Sequence, residues 1–495
     1  MMKIIKLKII LITIFLFFYS NNFAQQSSCN CLENYLYFTN SITKNYSGYS
    51  YKIKGKEATL AKLTDSLKVE AGKIGNKNCL PILDKWVSFF SDPHLSVYFS
   101  KNEDLTPEIT ESVKRNTKII NITKTEIKKY LIGNNKLDSI EGLWQNLSGT
   151  SNFIILKENM KPSGKKQRFV AFITLTNNKL WEKGQLKAEF TKEGDSYKTI
   201  YYDGNHLPLY VDSKISSSKN INKTELVLEI GELFTLYKKK SLFDTSTTIL
   251  HNNQTQKKPI EISYLNSKTV LITIKSFDEK YKSYIDSLIK IHEPKLSRTP
   301  NFIVDIRNNA GGSVESYKEL FPFLYTNPIL KPHFAILSSE GNIKLVKSMI
   351  NDKMTKEQKK EWEDAVVSME KNIGGLYREE KRDTIKLNKV FEYPSKIAIL
   401  INGSSASASE YFLLDARQSK KVKIFGAPTN GAIAFLEYID ENYCPCKAYK
   451  FVYPVAINEE ILKLGGDRAT IKPDVSIPKN VKDWIKFVQD SFDKW

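Results

Sequence analysis

Arginine is scarce in this chain. Only eight of its 74 basic residues are arginine, and they are scattered from Arg115 to Arg468. Arginine is the side chain best suited to forked contacts with phosphate, and nucleic-acid-binding domains concentrate basic groups on one face. The formal net charge of +19 therefore indicates a lysine-rich, solvated surface, and we expect no nucleic-acid partner.

The sequence also lacks any apolar run of the roughly 20 residues needed to cross a bilayer. Three lysines precede a shorter apolar run at 9–18, and polar residues follow it, which is typical of a secretory signal peptide. We predict a signal peptide over residues 1–24, cleavage after Ala24, and export to the periplasm or the extracellular space without a membrane span. Lipid attachment at Cys29 is a weaker alternative, because residues 26–28 make a poor lipoprotein signal.

Cysteine is sparse, and its spacing does not favour a metal site. The five cysteines are Cys29, Cys31, Cys79, Cys444 and Cys446. They lack the paired two-residue spacing of structural zinc sites, so we expect no metal and no cofactor. Disulfides persist in exported proteins, and an odd number leaves at least one thiol unpaired within the chain. We hypothesise a disulfide between Cys79 and either Cys29 or Cys31.

The order of sequence patterns divides the chain into regions. Apolar residues at helical spacing dominate residues 25–125, whereas alternating apolar runs separated by turn-rich pieces at 126–257 favour antiparallel strands. Strands and helices alternate over 258–495, which is typical of a layered α/β domain. We predict a multidomain α/β protein with an N-terminal helical domain, a β-rich inserted module and an α/β catalytic domain. The charged stretch at 352–383 is predicted to be a solvated helix, with a substrate-covering lid as the alternative.

A serine-rich turn carries the strongest chemical signal. The apolar strand at 396–401 is followed by small residues, including Ser405, Ser407 and Ser409, and then by an apolar helix. A serine at a helix start meets free backbone N–H groups and the positive end of the helix dipole, which favour developing negative charge. On these residues alone, a serine-rich helix cap is the alternative.

A glycine pair at 311–312 follows a second apolar strand, at 301–306. Glycine allows the backbone to approach a substrate carbonyl closely and to turn amides toward it, as an oxyanion hole requires. A Gly-Gly loop alone has little specificity. The Gly-Gly loop indicates an oxyanion hole only because it occurs with the serine-rich turn in one α/β domain.

Four motifs occur in a fixed order. They are D-x-R-x-N-x-G-G at Asp305–Gly312, S-A-S-E at Ser407–Glu410, G-x-P-T-x-G at Gly426–Gly431, and P-D at Pro473-Asp474. Over about residues 260–480 the chain resembles the peptidase family that contains the tail-specific (C-terminal-processing) proteases, the tricorn core protease and the modules of interphotoreceptor retinoid-binding protein.

The resemblance implies a layered α/β core like that of Clp protease and crotonase. It implies that Ser407 is the nucleophile. The oxyanion amides would come from Ala408 and from Gly311 or Gly312.

The general base departs from the tail-specific branch. That branch places a lysine just beyond the G-x-x-T-x-G loop, whereas this chain has Ala432. The tricorn-like branch uses a histidine from an earlier segment, and residues 91–95, Ser-Asp-Pro-His-Leu, resemble its motif. The resemblance therefore implies His94 as the base. That branch also carries a carboxylate a few residues before its late P-D motif, and counting back from Pro473-Asp474 gives Asp467 as the carboxylate that orients this histidine. An ordinary turn aspartate is the alternative, and Glu410 is a second supporting candidate.

These features predict an exported serine peptidase that acts on polypeptides. The alternative is a weakly active or inactive binding protein on the same scaffold. A third hypothesis is an adhesion module built on the β-rich region.

No glycine-rich carboxylate loop of a PDZ module is recognisable in the sequence. The remaining histidines are predicted to lie at the surface or to cap helices. They are His206, His251, His292 and His333.

Overall fold

The structure of the chain is a computed structural model. It describes residues 29–101, 104–134, 136–146, 149–158, 167–220, 223–231, 234–239, 259–379, 382–438, 442–478 and 480–495. The predicted signal peptide at 1–24 lies outside the described residues. Within the described ranges, no helix combines the length and the apolar character that a bilayer-spanning segment needs.

The first region is mainly helical, as its apolar spacing predicts. Its elements are α1 (Cys31–Asn45), α2 (Tyr49–Ile53), α3 (Glu57–Ile74), α4 (Leu80–Val87) with a 3₁₀ turn (Ser88–Phe90), β1 (Ser96–Phe99), α5 (Pro107–Arg115) and α6 (Lys124–Gly133). Helix α1 begins at Cys31 because the Asn30 side chain accepts the Glu33 N–H at 3.2 Å. A large buried aromatic group that includes Phe38, Trp86 and Phe90 packs these helices together.

Two disulfides join the start of this region to other parts of the fold. Cys31 pairs with Cys79, with Cα atoms 5.2 Å apart, which confirms the hypothesis for Cys79. Cys29 pairs with Cys446 across a sequence separation of 417 residues. Cys444 is a buried free thiol, and burial raises its pKa to about 12, so it is chemically inert near neutral pH.

The second region is a closed, antiparallel, up-and-down barrel, which confirms the predicted antiparallel strands. Its strands are β2 (Gly142–Asn146), β3 (Ser151–Lys157), β4 (Arg168–Thr176), β5 (Leu186–Glu193), β6 (Ser196–Tyr202), β7 (Pro208–Asn220), β8 (Lys223–Ile230) and β9 (Phe234–Lys238). Strand β2 pairs with β9 and closes the barrel, so no strand edge remains open in it. The domain boundaries placed at residues 125 and 257 remain predictions.

His206 contradicts its predicted surface position. It is buried, and its ring stacks on Trp181 with centroids 3.6 Å apart. Its Nε2 donates to the Leu180 carbonyl oxygen at 2.8 Å, and its Nδ1 accepts from the Thr117 hydroxyl. Both ring nitrogens have partners, which is the condition for burying a polar ring.

The third region alternates strands and helices as predicted. Its elements are β10 (Ile260–Tyr264), β11 (Thr269–Ile274), α7 (Lys282–Leu296), β12 (Asn301–Asp305), α8 (Phe321–Leu324), β13 (Ile329–Leu330), β14 (Ala335–Leu337), α9 (Glu340–Met349), α10 (Lys356–Lys371), β15 (Leu376–Arg378), β16 (Thr384–Ile385), β17 (Lys396–Ile401), α11 (Ala408–Ala416), β18 (Val422–Gly426), β19 (Phe435–Tyr438), β20 (Asn442–Tyr443), β21 (Tyr449–Val452), β22 (Pro454–Ile457), α12 (Glu459–Gly465), β23 (Val475–Ser476) and α13 (Trp484–Ser491). Short 3₁₀ turns occupy Glu279–Tyr281, Val314–Leu320, Gly466–Arg468 and Phe492–Lys494.

A six-stranded sheet in the order β10-β11-β12-β17-β18-β23 forms the middle layer of this region. Strands β11, β12, β17, β18 and β23 run parallel, and β10 is an antiparallel edge. Alternate residues of β17 enter different cores: Ile399 packs with α7 and α11 on one face, and Leu400 packs with α13 on the other. A central strand covered on both faces is therefore apolar throughout, which confirms the layered α/β class.

Candidate active site

The predicted site loops meet at one edge of the six-stranded sheet. Strands β12, β17 and β18 are neighbours and parallel, so their carboxyl ends lie side by side. The loops that follow them are 306–312, 402–407 and 427–434. Crevices at the carboxyl ends of parallel strands are the usual location of ligand sites in open α/β sheets.

Ser407 is held in a strained backbone conformation at the start of α11. Its φ is 54° and its ψ is −119°, a combination that non-glycine residues rarely adopt. Strain of this kind persists only where the surroundings impose it, and a sharp strand-to-helix turn is how α/β hydrolases expose a nucleophilic serine. Ser407 is partly exposed, whereas the next three residues are buried.

Glu410 imposes much of this conformation. Its carboxylate is fully buried and accepts four hydrogen bonds. Oε2 accepts from the N–H groups of Ser407 at 3.0 Å and Ala432 at 2.8 Å. Oε1 accepts from the Thr429 hydroxyl at 2.6 Å and the Gly431 N–H at 2.9 Å. Burial raises the pKa of Glu410, and the four donors oppose that shift. This carboxylate joins the turn that contains Ser407 to the G-x-P-T-x-G loop.

Gly311 lies directly against the nucleophile turn. A Cβ at this position would lie 2.7 Å from the Ala406 oxygen and 2.9 Å from the Ser407 Cβ, so no larger residue fits. The Gly311 N–H donates to Asn309 Oδ1 at 3.0 Å. Of the three predicted oxyanion donors, Gly311 therefore already has an acceptor for its N–H, whereas Ala408 is the first residue of its helix and has no intrahelical acceptor.

The two loops are fastened together around Asn309. Its carbonyl oxygen accepts from the Ala406 N–H at 3.1 Å and from the Ser409 hydroxyl at 2.8 Å. The Ser405 hydroxyl donates to the Ile306 oxygen at 2.9 Å. Ser405 and Ser409 are thus buried structural hydroxyls, and Ser407 is the serine of this turn whose side chain faces His94.

His94 approaches Ser407 from the first region, 313 residues earlier in the chain. Its Nε2 lies 3.4 Å from Ser407 Oγ, at the outer limit of a hydrogen bond. Burial lowers the pKa of His94 below its ordinary 6.5, the charge of Asp92 opposes this shift, and Arg468 adds to it. A neutral imidazole within reach of a serine hydroxyl is suited to accept its proton.

Asp92 and Asp467, the two candidate carboxylates, have different partners. Asp92 is buried, its Oδ1 lies 3.8 Å from His94 Nδ1, and the same oxygen accepts the His94 backbone N–H at 2.9 Å. Asp467, the carboxylate suggested by the motif count, forms an ion pair with Lys52. The next residue, Arg468, donates to the Ser91 oxygen at 2.9 Å, so the 466–468 turn packs against the histidine loop. The role of Asp467 stays a prediction, and Asp92 is the carboxylate whose oxygen lies beside the His94 ring.

Glu410 is a supporting candidate from the sequence, but neither its contacts nor those of Asn309 were predicted. The Glu410 cap had a signal, because a serine followed three residues later by glutamate is a capping box. The D-x-H spacing of Asp92 and His94 was also visible. Nothing local marks Asn309 as the carbonyl that joins two loops, because its partners lie about a hundred residues away.

Comparison with known families identifies the domain that contains Ser407 and the loops that support it. Residues 268–440 match peptidase family S41. The chain carries an S41 serine peptidase domain. The match includes Ser407, Ala408 and the Gly311–Gly312 pair. His94 and Asp467 lie outside the matched residues, so the S41 domain receives its candidate base from another part of the chain. A comparison with the curated proteins finds no match.

Three solved structures match this chain at 12% sequence identity. For a protein from Parabacteroides merdae described as a candidate peptidase, the match covers 48% of this chain and 64% of that chain, with a TM-score of 0.32. For mature CPAF complexed with lactacystin, it covers 94% and 97%, with a TM-score of 0.49. For the photosystem II D1 C-terminal processing protease, it covers 92% and 94%, with a TM-score of 0.40.

Proposed function

We propose that this chain is an exported serine peptidase that hydrolyses peptide bonds through an acyl-enzyme on Ser407, with His94 as general base. The observation that carries the proposal is the 3.4 Å separation between His94 Nε2 and Ser407 Oγ. Catalytic hydrogen bonds are often long before substrate binds and shorten in the complex. The family match to the S41 domain supports the peptidase class.

The chemistry follows from these positions. His94 Nε2 takes the proton from Ser407 Oγ as Oγ bonds to the substrate carbonyl carbon, and the carbonyl oxygen becomes an oxyanion. Backbone N–H groups of Ala408 and Gly312 stabilise that charge. The tetrahedral intermediate then breaks its C–N bond, and the amine leaves with the proton from His94. Water attacks the resulting ester and gives a proton to His94, and His94 passes that proton to Ser407 Oγ as the product acid departs.

Asp92 is the carboxylate we assign to orient His94. Its Oδ1 lies 3.8 Å from His94 Nδ1, so we assign the ring proton to Nδ1 and the role of base to Nε2. The negative charge of Asp92 also stabilises the imidazolium that forms during acylation. Asp467 is only the second candidate, because it forms an ion pair with Lys52 that would have to break before Asp467 could contact His94.

Export to the periplasm or the extracellular space is part of the proposal. The Cys29–Cys446 and Cys31–Cys79 disulfides support it, since structural disulfides persist in oxidising compartments. A polypeptide is the proposed substrate, and the family match is the basis for that choice.

The test is product identification. Mixed exported peptides are incubated with wild type, Ser407→Ala and Ser287→Ala, and new termini are identified by mass spectrometry. Ser287 is the matched control because it is an exposed serine on α7. We expect cleavage by wild type and Ser287→Ala and none by Ser407→Ala. If Ser407→Ala generates the same termini at the wild-type rate, Ser407 is not the nucleophile and the proposal fails. If wild type generates no new termini, a binding protein on the same scaffold replaces the peptidase proposal.

A further inference from the structure

Tyr46 connects the first helix to the histidine loop. It follows the last residue of α1, and its side chain is fully buried. Its hydroxyl donates to Asp92 Oδ2 at 2.6 Å. The other oxygen of the same carboxylate, Oδ1, lies 3.8 Å from His94 Nδ1 and accepts the His94 backbone N–H. Tyr46, Asp92, His94 and Ser407 therefore form one continuous chain of polar contacts.

The phenol of Tyr46 is fixed in place by its own surroundings. Its backbone N–H donates to the Ile42 oxygen at 2.9 Å. The following residue, Ser47, donates from its N–H and its hydroxyl to the Pro454 oxygen at 3.0 and 3.1 Å, which anchors the helix end to β22. The Tyr46 ring packs edge-on against Phe90 and Phe435. A ring held from this many sides has little freedom to move its hydroxyl.

Gly48 gives the phenol its space. A Cβ at this position would lie 2.4 Å from the Tyr46 hydroxyl oxygen. Its φ of −80° is one that any residue adopts, so the requirement for glycine comes from this contact and not from the backbone. A methyl group here would push the Tyr46 hydroxyl away from Asp92, although the tyrosine side chain itself would still be present.

We propose that Tyr46 is a positioning residue for the catalytic base: it holds Oδ2 of Asp92 so that Oδ1 faces the His94 ring. The proposal rests on the proposed function, since it matters for catalysis only if His94 is the base. A carboxylate bound through one oxygen has its rotation restricted, and the buried pair has no solvent to replace a lost contact. Lys52, Asp467 and Arg468 are the other charged groups in this neighbourhood.

The test compares the same substitution at two buried tyrosines. Tyr46→Phe removes only the hydroxyl that contacts Asp92. Tyr35→Phe is the control, because Tyr35 is also fully buried and its hydroxyl donates to a backbone oxygen, that of Thr64, at 2.9 Å. We expect Tyr46→Phe to lower kcat by on the order of 10- to 100-fold with KM unchanged, because small misplacements of a catalytic group have effects of this size. Tyr35→Phe is expected to keep the wild-type kcat.

A second variant and a second readout separate positioning from folding. Gly48→Ala keeps the hydroxyl and displaces it, so it is expected to lower kcat like Tyr46→Phe and to slow phosphonate labelling of Ser407. Both variants are also expected to move the acid-side midpoint of the kcat/KM pH profile, which loss of stability alone does not move. If Tyr46→Phe matches Tyr35→Phe in kcat and in pH profile, the positioning role is refuted. Should His94→Ala retain wild-type turnover, the proposed function itself has failed, so the two failures are distinguishable.

Discussion

Replacing Glu410 by glutamine tests how the nucleophile turn is held. The carboxylate accepts two hydrogen bonds on each oxygen, and three of the four donors are backbone N–H groups. Glutamine offers one oxygen and one NH₂, so one pair of donors must face an NH₂ group. The Thr429 hydroxyl could turn to accept, but the Gly431 N–H, or the Ser407 and Ala432 N–H groups, cannot.

The expected loss of stability follows from this count. Each buried donor left without an acceptor costs about 1–3 kcal/mol, and the remaining bonds lose their charge-assisted strength. We therefore expect Glu410→Gln to lower the free energy of unfolding by roughly 2–4 kcal/mol. Urea unfolding followed by tryptophan fluorescence measures it, and amide hydrogen exchange across residues 429–432 should become faster.

The control is Glu361→Gln on α10, where the side chain is exposed. A surface substitution of this kind is expected to change stability by less than about 0.5 kcal/mol. If Glu410→Gln also stays within that limit and exchange at 429–432 is unchanged, the carboxylate does not hold the turn and our account of the strained Ser407 backbone is wrong.

Three further predictions concern other parts of the molecule. Because burial lowers the pKa of His94 below 6.5 and the base must be neutral, kcat/KM should rise with pH through a midpoint below 6.5, and a midpoint above 7 in a peptide assay would count against His94. Replacing Cys31 and Cys79 together by serine should lower the free energy of unfolding by about 4 kcal/mol, as measured by urea unfolding, because the disulfide closes a loop with a sequence separation of 48 residues; an unchanged midpoint would contradict this. Burial lowers the pKa of Lys187 to about 7. Its burial therefore destabilises the folded state most below that pH, and this destabilisation decreases as the pH rises to 10.5. Lys187→Met should accordingly raise Tm more at pH 6 than at pH 9.5, and an equal gain at both pH values refutes the cause.

The local signals of the sequence were sufficient for the nucleophile half of the site. The apolar run at 396–401, the small-residue turn and the following apolar helix are consecutive, so a strand, a tight turn and a helix start could be predicted there. Strand alternation likewise predicted antiparallel strands in the second region. Closure of the barrel through β2 and β9 could not be predicted, because that pairing joins residues about ninety positions apart.

The histidine half depends on contacts that no local pattern records. The sequence motif placed His94 among the candidates, but only the fold brings it to Ser407. The Asp92 contact is a matter of side-chain direction within a loop, and the Tyr46 contact spans 46 residues. Counting back from Pro473-Asp474 pointed to Asp467, whereas in the structure the Asp467 carboxylate forms an ion pair with Lys52. Motif counting locates residues along the chain and carries no information about which neighbour satisfies a buried charge.

The measurement that tests the central claim most directly is the rate at which an active-site phosphonate labels Ser407. Intact mass and peptide mapping follow the adduct in wild type, His94→Ala and the control His333→Ala, whose ring Nε2 forms a hydrogen bond with the Glu379 backbone oxygen at 2.7 Å. We predict one adduct, on Ser407, formed at the wild-type rate in His333→Ala and at least about 100-fold more slowly in His94→Ala. Labelling of Ser407 at an unchanged rate in His94→Ala, or an adduct on another serine, would contradict the account.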